Sequence, residues 1–243
     1  MNHSAIDSVR RCTADALRRG RDPESCTEVC RHTVAAIGAE LDAHRADGAP
    51  VACAPGCAFC CHQRVGVYAH EAIALLRRLR ASLPRPDAAA IEARVLANAR
   101  AVDGMTAAQH RAANLRCALL VDGRCAAYDV RPSACARYHS LSRARCEHAF
   151  AHPEHIGTPR SSRPALAELQ AFGAAVTAAT EAALEDAGLS ATQGELHQLL
   201  RALLEDPSLI GRWGAGDDVA SASSRAQAAA STDAATLKRS SAP

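Results

Sequence analysis

Apolar positions along most of the chain recur at three- and four-residue spacing, and nowhere do they alternate for long, so the pattern predicts helices rather than strands. Residues 1–46 read as helical. Asp22-Pro23-Glu24 supplies an N-terminus, with proline in the first turn and acid groups at the positive end of the helix dipole. Val29, Ile37 and Leu41 then share a face, and Asp47-Gly48-Ala49-Pro50 ends the segment. Residues 50–68 break the pattern. A helix resumes near His70 with Ile73, Leu75, Leu76 and Leu79 inward, and Leu83-Pro84-Arg85-Pro86 stops it. Asp87 is placed to cap a further helix to about Val102, with Ile91, Val95 and Leu96 inward. Thr106-x-x-Gln109 is a capping-box pattern opening a short helix to Arg116. Residues 117–131 are irregular around the turn signal Asp122-Gly123, and Arg131-Pro132 opens a short helical turn. His148 to Pro164 reads as a connecting loop. An Ala-rich helix over about 165–187 is closed by Gly188, and Thr192-x-x-Glu195 caps the next helix, which bears Leu196, Leu199, Leu200, Leu203 and Leu204 and is ended by Pro207.

The expected fold class is therefore all-α: an irregular helical domain with a loop-borne cysteine metal site and packed C-terminal helices. The segments expected are 1–49 (N-terminal helices), 50–147 (a cysteine-cluster metal-binding domain), 148–212 (C-terminal helices packing on the core) and 213–243 (a disordered Ala/Ser-rich tail).

Composition narrows the picture. Hydrophobic residues are 48% of the 243 and aromatics only 3%, so the core is built from Ala, Leu, Val and Ile, and a base-stacking surface is disfavoured. The net charge of +2 gives no electrostatic reason to expect nucleic-acid or membrane binding. No apolar signal segment opens the chain, and no run approaches the ~18 apolar residues that span a bilayer. The expectation is a cytoplasmic protein with reduced thiols. Eleven cysteines in that compartment point to metal ligation or redox chemistry before disulfides.

Seven of them form two groups. In the first, Cys57-x2-Cys60 has the spacing at which two thiolates in a tight turn reach one ion, and Pro55-Gly56 lets the backbone bend so that Cys53 can join them. Cys61 follows Cys60 directly; neighbouring side chains diverge, so the pair more easily serves two metals or two corners of a cluster than one tetrahedral ion. The second group is Cys117-x7-Cys125-x9-Cys135, and Asp122-Gly123 can fold its loop back. Cys135 is expected in the first turn of a helix, where the dipole favours a thiolate, with Arg131 and Arg137 offsetting negative charge. Seven thiols exceed the four that a structural zinc uses. Two zinc ions, an iron–sulfur cluster with spare thiols, or one mononuclear site all remain open, and ligand softness admits Cu(I) as well.

This arrangement resembles the YkgJ-type cysteine-cluster family, taken to chelate zinc or iron. Its pattern is met here by Cys53-Ala-Pro-Gly-Cys57-Ala-Phe-Cys60-Cys61, by Cys117-Ala-Leu-Leu120, and by Cys125-Ala-Ala-Tyr128-Asp-Val-Arg131-Pro132-Ser-Ala-Cys135, over about residues 50–140. The spacer of three after Cys53 departs from the commoner two. The resemblance implies that Cys53, Cys57, Cys60, Cys61, Cys117, Cys125 and Cys135 are metal ligands. Some relatives are linked to flagellin lysine N-methylation, which keeps an iron–sulfur-dependent or methyltransferase-like enzyme as the alternative, beside a zinc-stapled module that docks a protein partner through its helices.

Outside the motif, Cys26-x3-Cys30 reads as a helix contact. Cys146, His148, His152 and His155 form a loose cluster able to add a ligand or bind a second metal, though a solvated loop is the plainer account. His62 can replace a thiolate. No Gly-rich phosphate loop and no nucleophile elbow occurs.

Overall fold

The computed structural model describes residues 2–155 and 164–221. It is all-α with a few short strands. In chain order the helices are α1 (His3–Arg19), α2 (Pro23–Ala46), α3 (Ala69–Ser82), α4 (Arg85–Ala101), α5 (Ala107–Ala112), α6 (Ser133–Ala136), α7 (Arg143–Ala151), α8 (Ala167–Asp186), α9 (Leu196–Glu205) and α10 (Ser208–Gly214). The strands are β1 (Gly66–Tyr68), β2 (Leu120–Val121), β3 (Arg124–Cys125) and β4 (Gln193–Glu195).

Local chemistry sets most of the helix starts. The Asp22 carboxylate accepts from the Ser25 amide at 2.9 Å, with Pro23 at the first helical position of α2. Thr106 and Gln109 satisfy each other's amides at the head of α5, the reciprocal box expected there. Gly188 adopts a positive φ of 72° just past α8, as a helix-ending glycine does.

Three expectations shift. The helix expected from Asp87 begins at Arg85, because Pro86 in the first turn gives up an amide that has no partner there anyway. Thr192 does not open α9. Residues 193–195 are taken up by antiparallel pairing with β1, and Glu195 itself caps the helix, accepting from the Gln198 amide at 2.9 Å. Part of the loop expected from His148 is helical, since α7 runs to Ala151 from its Ser142 cap. Pairing of β1 with β4, Gly66 opposite Glu195, ties the cysteine-bearing region to the C-terminal helices.

Two apolar cores result. One joins α1, α2 and α8 through Val9, Ile37, Leu41, Leu169, Phe172 and Val176. The other places α3 between α2 and α9, with Ile73, Leu75 and Leu79 against Leu196, Leu199, Leu200 and Trp213. Trp213 is completely buried and donates to the Ser190 carbonyl at 3.3 Å. Val219 and Ala220 are buried too, so packed chain runs beyond residue 213, where the tail was expected to start; residues 222–243 lie outside the described residues. Among the described residues, no helix is long and apolar enough to cross a membrane.

Candidate metal centre

The first cysteine group lies on a chain that turns twice. The Cys57 amide donates to the Ala54 carbonyl at 3.0 Å across Pro55-Gly56, and Gly56 has a φ of +87°. Proline followed by a glycine of positive φ makes a type II turn. Cys60 and Cys61 then fall in a single 3-10 turn, Phe59–His62. Cys53 is held by the opposite edge: the Ser140 amide donates to its sulfur at 3.2 Å, and the Ala52 amide to the Ser140 carbonyl at 2.8 Å.

The second group is folded back by the β2–β3 hairpin, whose tip residues Asp122 and Gly123 have φ values of +48° and +75°. Two successive positive φ values define the hairpin turn that Asp-Gly favours. Cys125 is thereby set opposite Leu120, close to the Cys117 turn. The two groups meet where the Cys117 amide donates to the Cys61 carbonyl at 2.8 Å. Cys135 enters from α6, whose first turn it occupies as expected.

The sulfurs fall into two overlapping sets. Cys135 feels the charges of Cys117, Cys60 and Cys125, whereas Cys53 feels those of Cys57, Cys60 and Cys146. Cys60 belongs to both. Burial dominates their chemistry: it pushes the Cys117 thiol up to about 12, the Cys135 thiol well above the ordinary range, and Cys53 and Cys125 upward as well. The helix-start position of Cys135, expected to favour a thiolate, is outweighed by that desolvation. Opposing it are amides aimed at sulfur: Leu119 to Cys117 and Ala127 to Cys125, two residues on in both turns, and Ser140 to Cys53. Arg131 also lowers Cys125, while its guanidinium sits 3.8 Å from the centre of the Tyr128 ring.

Donors of this kind fit zinc or iron. Each is a thiol, and each N–H aimed at sulfur stabilises the deprotonated ligand a metal needs. Among the described residues, the sets of three His, Cys, Asp or Glu ligand atoms within 4.8 Å of one another contain no cysteine. No three of the described sulfurs therefore lie as close together as three corners of one zinc–thiolate tetrahedron, whose edge is about 3.8 Å for a bond of about 2.3 Å. Cys26 and Cys30 lie apart, buried among the apolar residues between α2 and α3 as a helix contact would be.

Two polar groups missed by sequence reasoning brace this centre. Buried Glu71 accepts from the Tyr68 amide at 3.1 Å and from the Ser133 amide at 2.7 Å, so one carboxyl caps both α3 and α6, the helix of Cys135. Burial pushes it up to about 7 despite those bonds. The second is a buried trio, His110, Glu195 and His197, with ligand atoms within 4.8 Å of one another. His197 spends both ring nitrogens on hydrogen bonds. His197 Nε2 faces the Ala118 amide at 3.3 Å and Asn98 Nδ2 at 3.2 Å, both donors, and so carries no proton. Nδ1 then carries the proton and donates to Glu195 at 3.2 Å. The trio thus fixes the turn beside Cys117. Arg94 and Asn98 hold that turn's carbonyls at Ala118 and Arg116. Glu195-x-His197 at a helix start is the only local signal of this, and its partner lies 79 residues away.

No curated protein and no solved structure matches the chain. Residues 52–156, which hold the seven cysteines of both groups, match one family model, CxxCxxCC, described as a putative zinc- or iron-chelating domain.

Proposed function

We propose that the protein binds zinc or iron through Cys60, Cys117, Cys125 and Cys135, with Cys53, Cys57 and Cys61 as further ligands on the side of the first turn. The observation that carries this is the burial of the Cys135 thiol amid the other three. Burial favours the protonated form of the Cys117, Cys125 and Cys135 thiols; a divalent or cluster-bound metal removes that penalty and releases the protons. Aimed amides at Cys117 and Cys125 supply the hydrogen bonds that bound thiolates use.

A second reading has one observation in its favour. That no three described sulfurs lie within 4.8 Å of one another suits a polynuclear site, in which each thiolate meets a different metal atom, as in an iron–sulfur cluster. The enzyme alternative gains less support. The polar cavity lined by Tyr68, His70, Glu71, Arg131 and Ser133 has room for about one water.

Zinc, iron and acid-labile sulfide are measured per chain after purification without oxygen. Zinc without sulfide supports a zinc–thiolate centre, and iron with sulfide supports a cluster. Cys135→Ser and Cys117→Ser should lose that metal, while Cys12→Ser, on α1, should keep it. Retention of full metal by every motif Ser variant would overturn the proposal.

A further inference from the structure

α7 ends in a strip of imidazoles that the thiolate reading does not use. The His152 amide donates to the His148 carbonyl at 2.9 Å, and the His155 amide to the His152 carbonyl at 3.0 Å. The chain thus tightens from α7 into one 3-10 turn, Pro153–His155. Pro153 fixes one φ of that turn and needs no amide partner. The result is three rings on one side. Centroids of His148 and His152 are 4.6 Å apart, of His152 and His155 5.4 Å, and of His148 and His155 6.1 Å.

A carboxylate lies among them. Glu154 Oε1 is 3.2 Å from His152 Nδ1 and 3.8 Å from His155 Nε2, and these three residues form a set whose ligand atoms lie within 4.8 Å of one another. A tetrahedral ion with bonds of about 2.0–2.2 Å to nitrogen and oxygen spaces its ligands about 3.3–3.6 Å apart, so these distances need little adjustment. The strip is also accessible, because His152 and Glu154 are exposed.

We infer that His152, Glu154 and His155, with His148 as a third imidazole, form a second metal site, distinct from the thiolate centre and selective for borderline divalent ions of the zinc, nickel and copper type. Its donor chemistry sets the class: nitrogen and oxygen without sulfur disfavour Cu(I) and iron–sulfur clusters. Placement relates it to the first site. α7 rests on the Cys60–Cys61 turn through Phe150, whose ring centre lies 5.7 Å from that of Phe59 in a tilted contact and 4.7 Å from that of His62 in an edge-to-face one. The site stands on its own atoms and does not rest on the thiolate reading.

Co²⁺ is the probe, added to full-length protein whose thiolate metal content has been measured beforehand. Thiolate-bound Co²⁺ gives intense near-ultraviolet sulfur-to-metal charge transfer; Co²⁺ on imidazole and carboxylate gives only weak visible bands. The wild type should take up one Co²⁺ beyond its resident metal with the weak bands alone. The variant His152→Gln/His155→Gln should bind that ion more weakly by at least the roughly 100-fold upper limit of a second-shell change, since two direct ligands are gone. His152 is exposed and His155 half-buried, and an unchanged circular dichroism spectrum confirms the variant is folded. Uptake of no extra ion, uptake with thiolate charge transfer, or undiminished uptake by the variant would each overturn the inference. Failure of the thiolate reading shows separately, in the metal and sulfide content before cobalt is added.

Discussion

Two glycines inside helices test how tightly α6, the helix of Cys135, is clamped. Glycine in a helix interior costs about 1 kcal/mol relative to alanine. At Gly38 in α2, an added Cβ meets nothing within 4 Å. Gly38→Ala should therefore stabilise by about 0.5–1 kcal/mol. At Gly173 in α8, an added Cβ would come closer than 3.0 Å to the Arg137 Cβ, with the Arg137 Cδ at 3.2 Å and Cγ at 3.4 Å. A Cβ is fixed to its backbone, so the contact is relieved only by moving α6 away from α8. Overpacking of this kind costs about 1–3 kcal/mol. Offset by the propensity gain, Gly173→Ala should destabilise by about 1–2 kcal/mol. One chemical change at two helical glycines thus moves stability in opposite directions. At about 2–4 °C per kcal/mol for a chain of this size, the melting temperatures should separate by roughly 3–12 °C in calorimetry. Cys135 lies two residues before Arg137, so Gly173→Ala should also surrender metal to a chelator faster than wild type, and Gly38→Ala should not. If Gly173→Ala stabilises as Gly38→Ala does, the close packing of α8 on α6 is wrong.

Other predictions follow from the bracing groups and the buried histidines. His197→Ala leaves the buried Ala118 amide without its partner, at roughly 1–3 kcal/mol, and leaves Glu195 with only the Gln198 amide; chelator-driven metal loss should quicken by about 10- to 100-fold, and an unchanged rate would remove His197 from its positioning role. His70 is held neutral by burial, its pKa lowered from 6.5 to about 3. The unfolded chain takes up that proton first, so the stability involved is complete above about pH 6.5 and is lost as pH falls toward 3. His139, lowered to about 4 by burial, acts with the same sign, whereas Glu71, raised to about 7, contributes below pH 4.5 and loses that contribution as pH rises through 7. Urea midpoints of wild type and His70→Gln at pH 7 and pH 5 isolate the histidine part: the wild type should lose more on acidification, and an equal loss would refute the assignment.

Helices whose starts are chemically marked were legible from the sequence. Asp22-Pro23 and Thr106-x-x-Gln109 announce α2 and α5 through local hydrogen bonds, and the structure shows those bonds. The type II turn at Pro55-Gly56 and the hairpin tip at Asp122-Gly123 were legible for the same reason, since each needs a backbone angle that glycine supplies. What was not legible depends on distant chain. β1 and β4 are three residues each, too short for alternation to register, and they displaced the expected cap from Thr192 to Glu195. α7 carries only two buried residues, Cys146 and Ala149, so it has no apolar stripe to reveal it. The roles of Glu71 and His197 need Ser133 and Ala118, brought to them only by the fold. The shift of the Cys135 thiol was missed because helix position is written in sequence and burial is not.

The cysteine segment leans on the rest of the chain more than its compact motif suggests. Nearly half the residues of the larger core lie outside residues 50–156, among them Leu196, Leu199, Leu200 and the completely buried Trp213. α3 sits in the middle of that core, and its Glu71 caps the helix of Cys135. The Cys117 turn is braced by His197 of α9. A fragment of residues 50–156 would therefore expose the apolar face of α3, at roughly 1.5–3 kcal/mol for each large side chain left uncovered, against a total stability of about 5–15 kcal/mol for a typical domain. It would also lose the His197 brace. Expressed alone, the fragment should show weak helical circular dichroism and should release its metal to a chelator that the full chain resists. A fragment that folds and keeps its metal as the full chain does would mean that the thiolates and the metal organise this segment by themselves. The C-terminal helices would then be a cover over the metal centre rather than part of its construction.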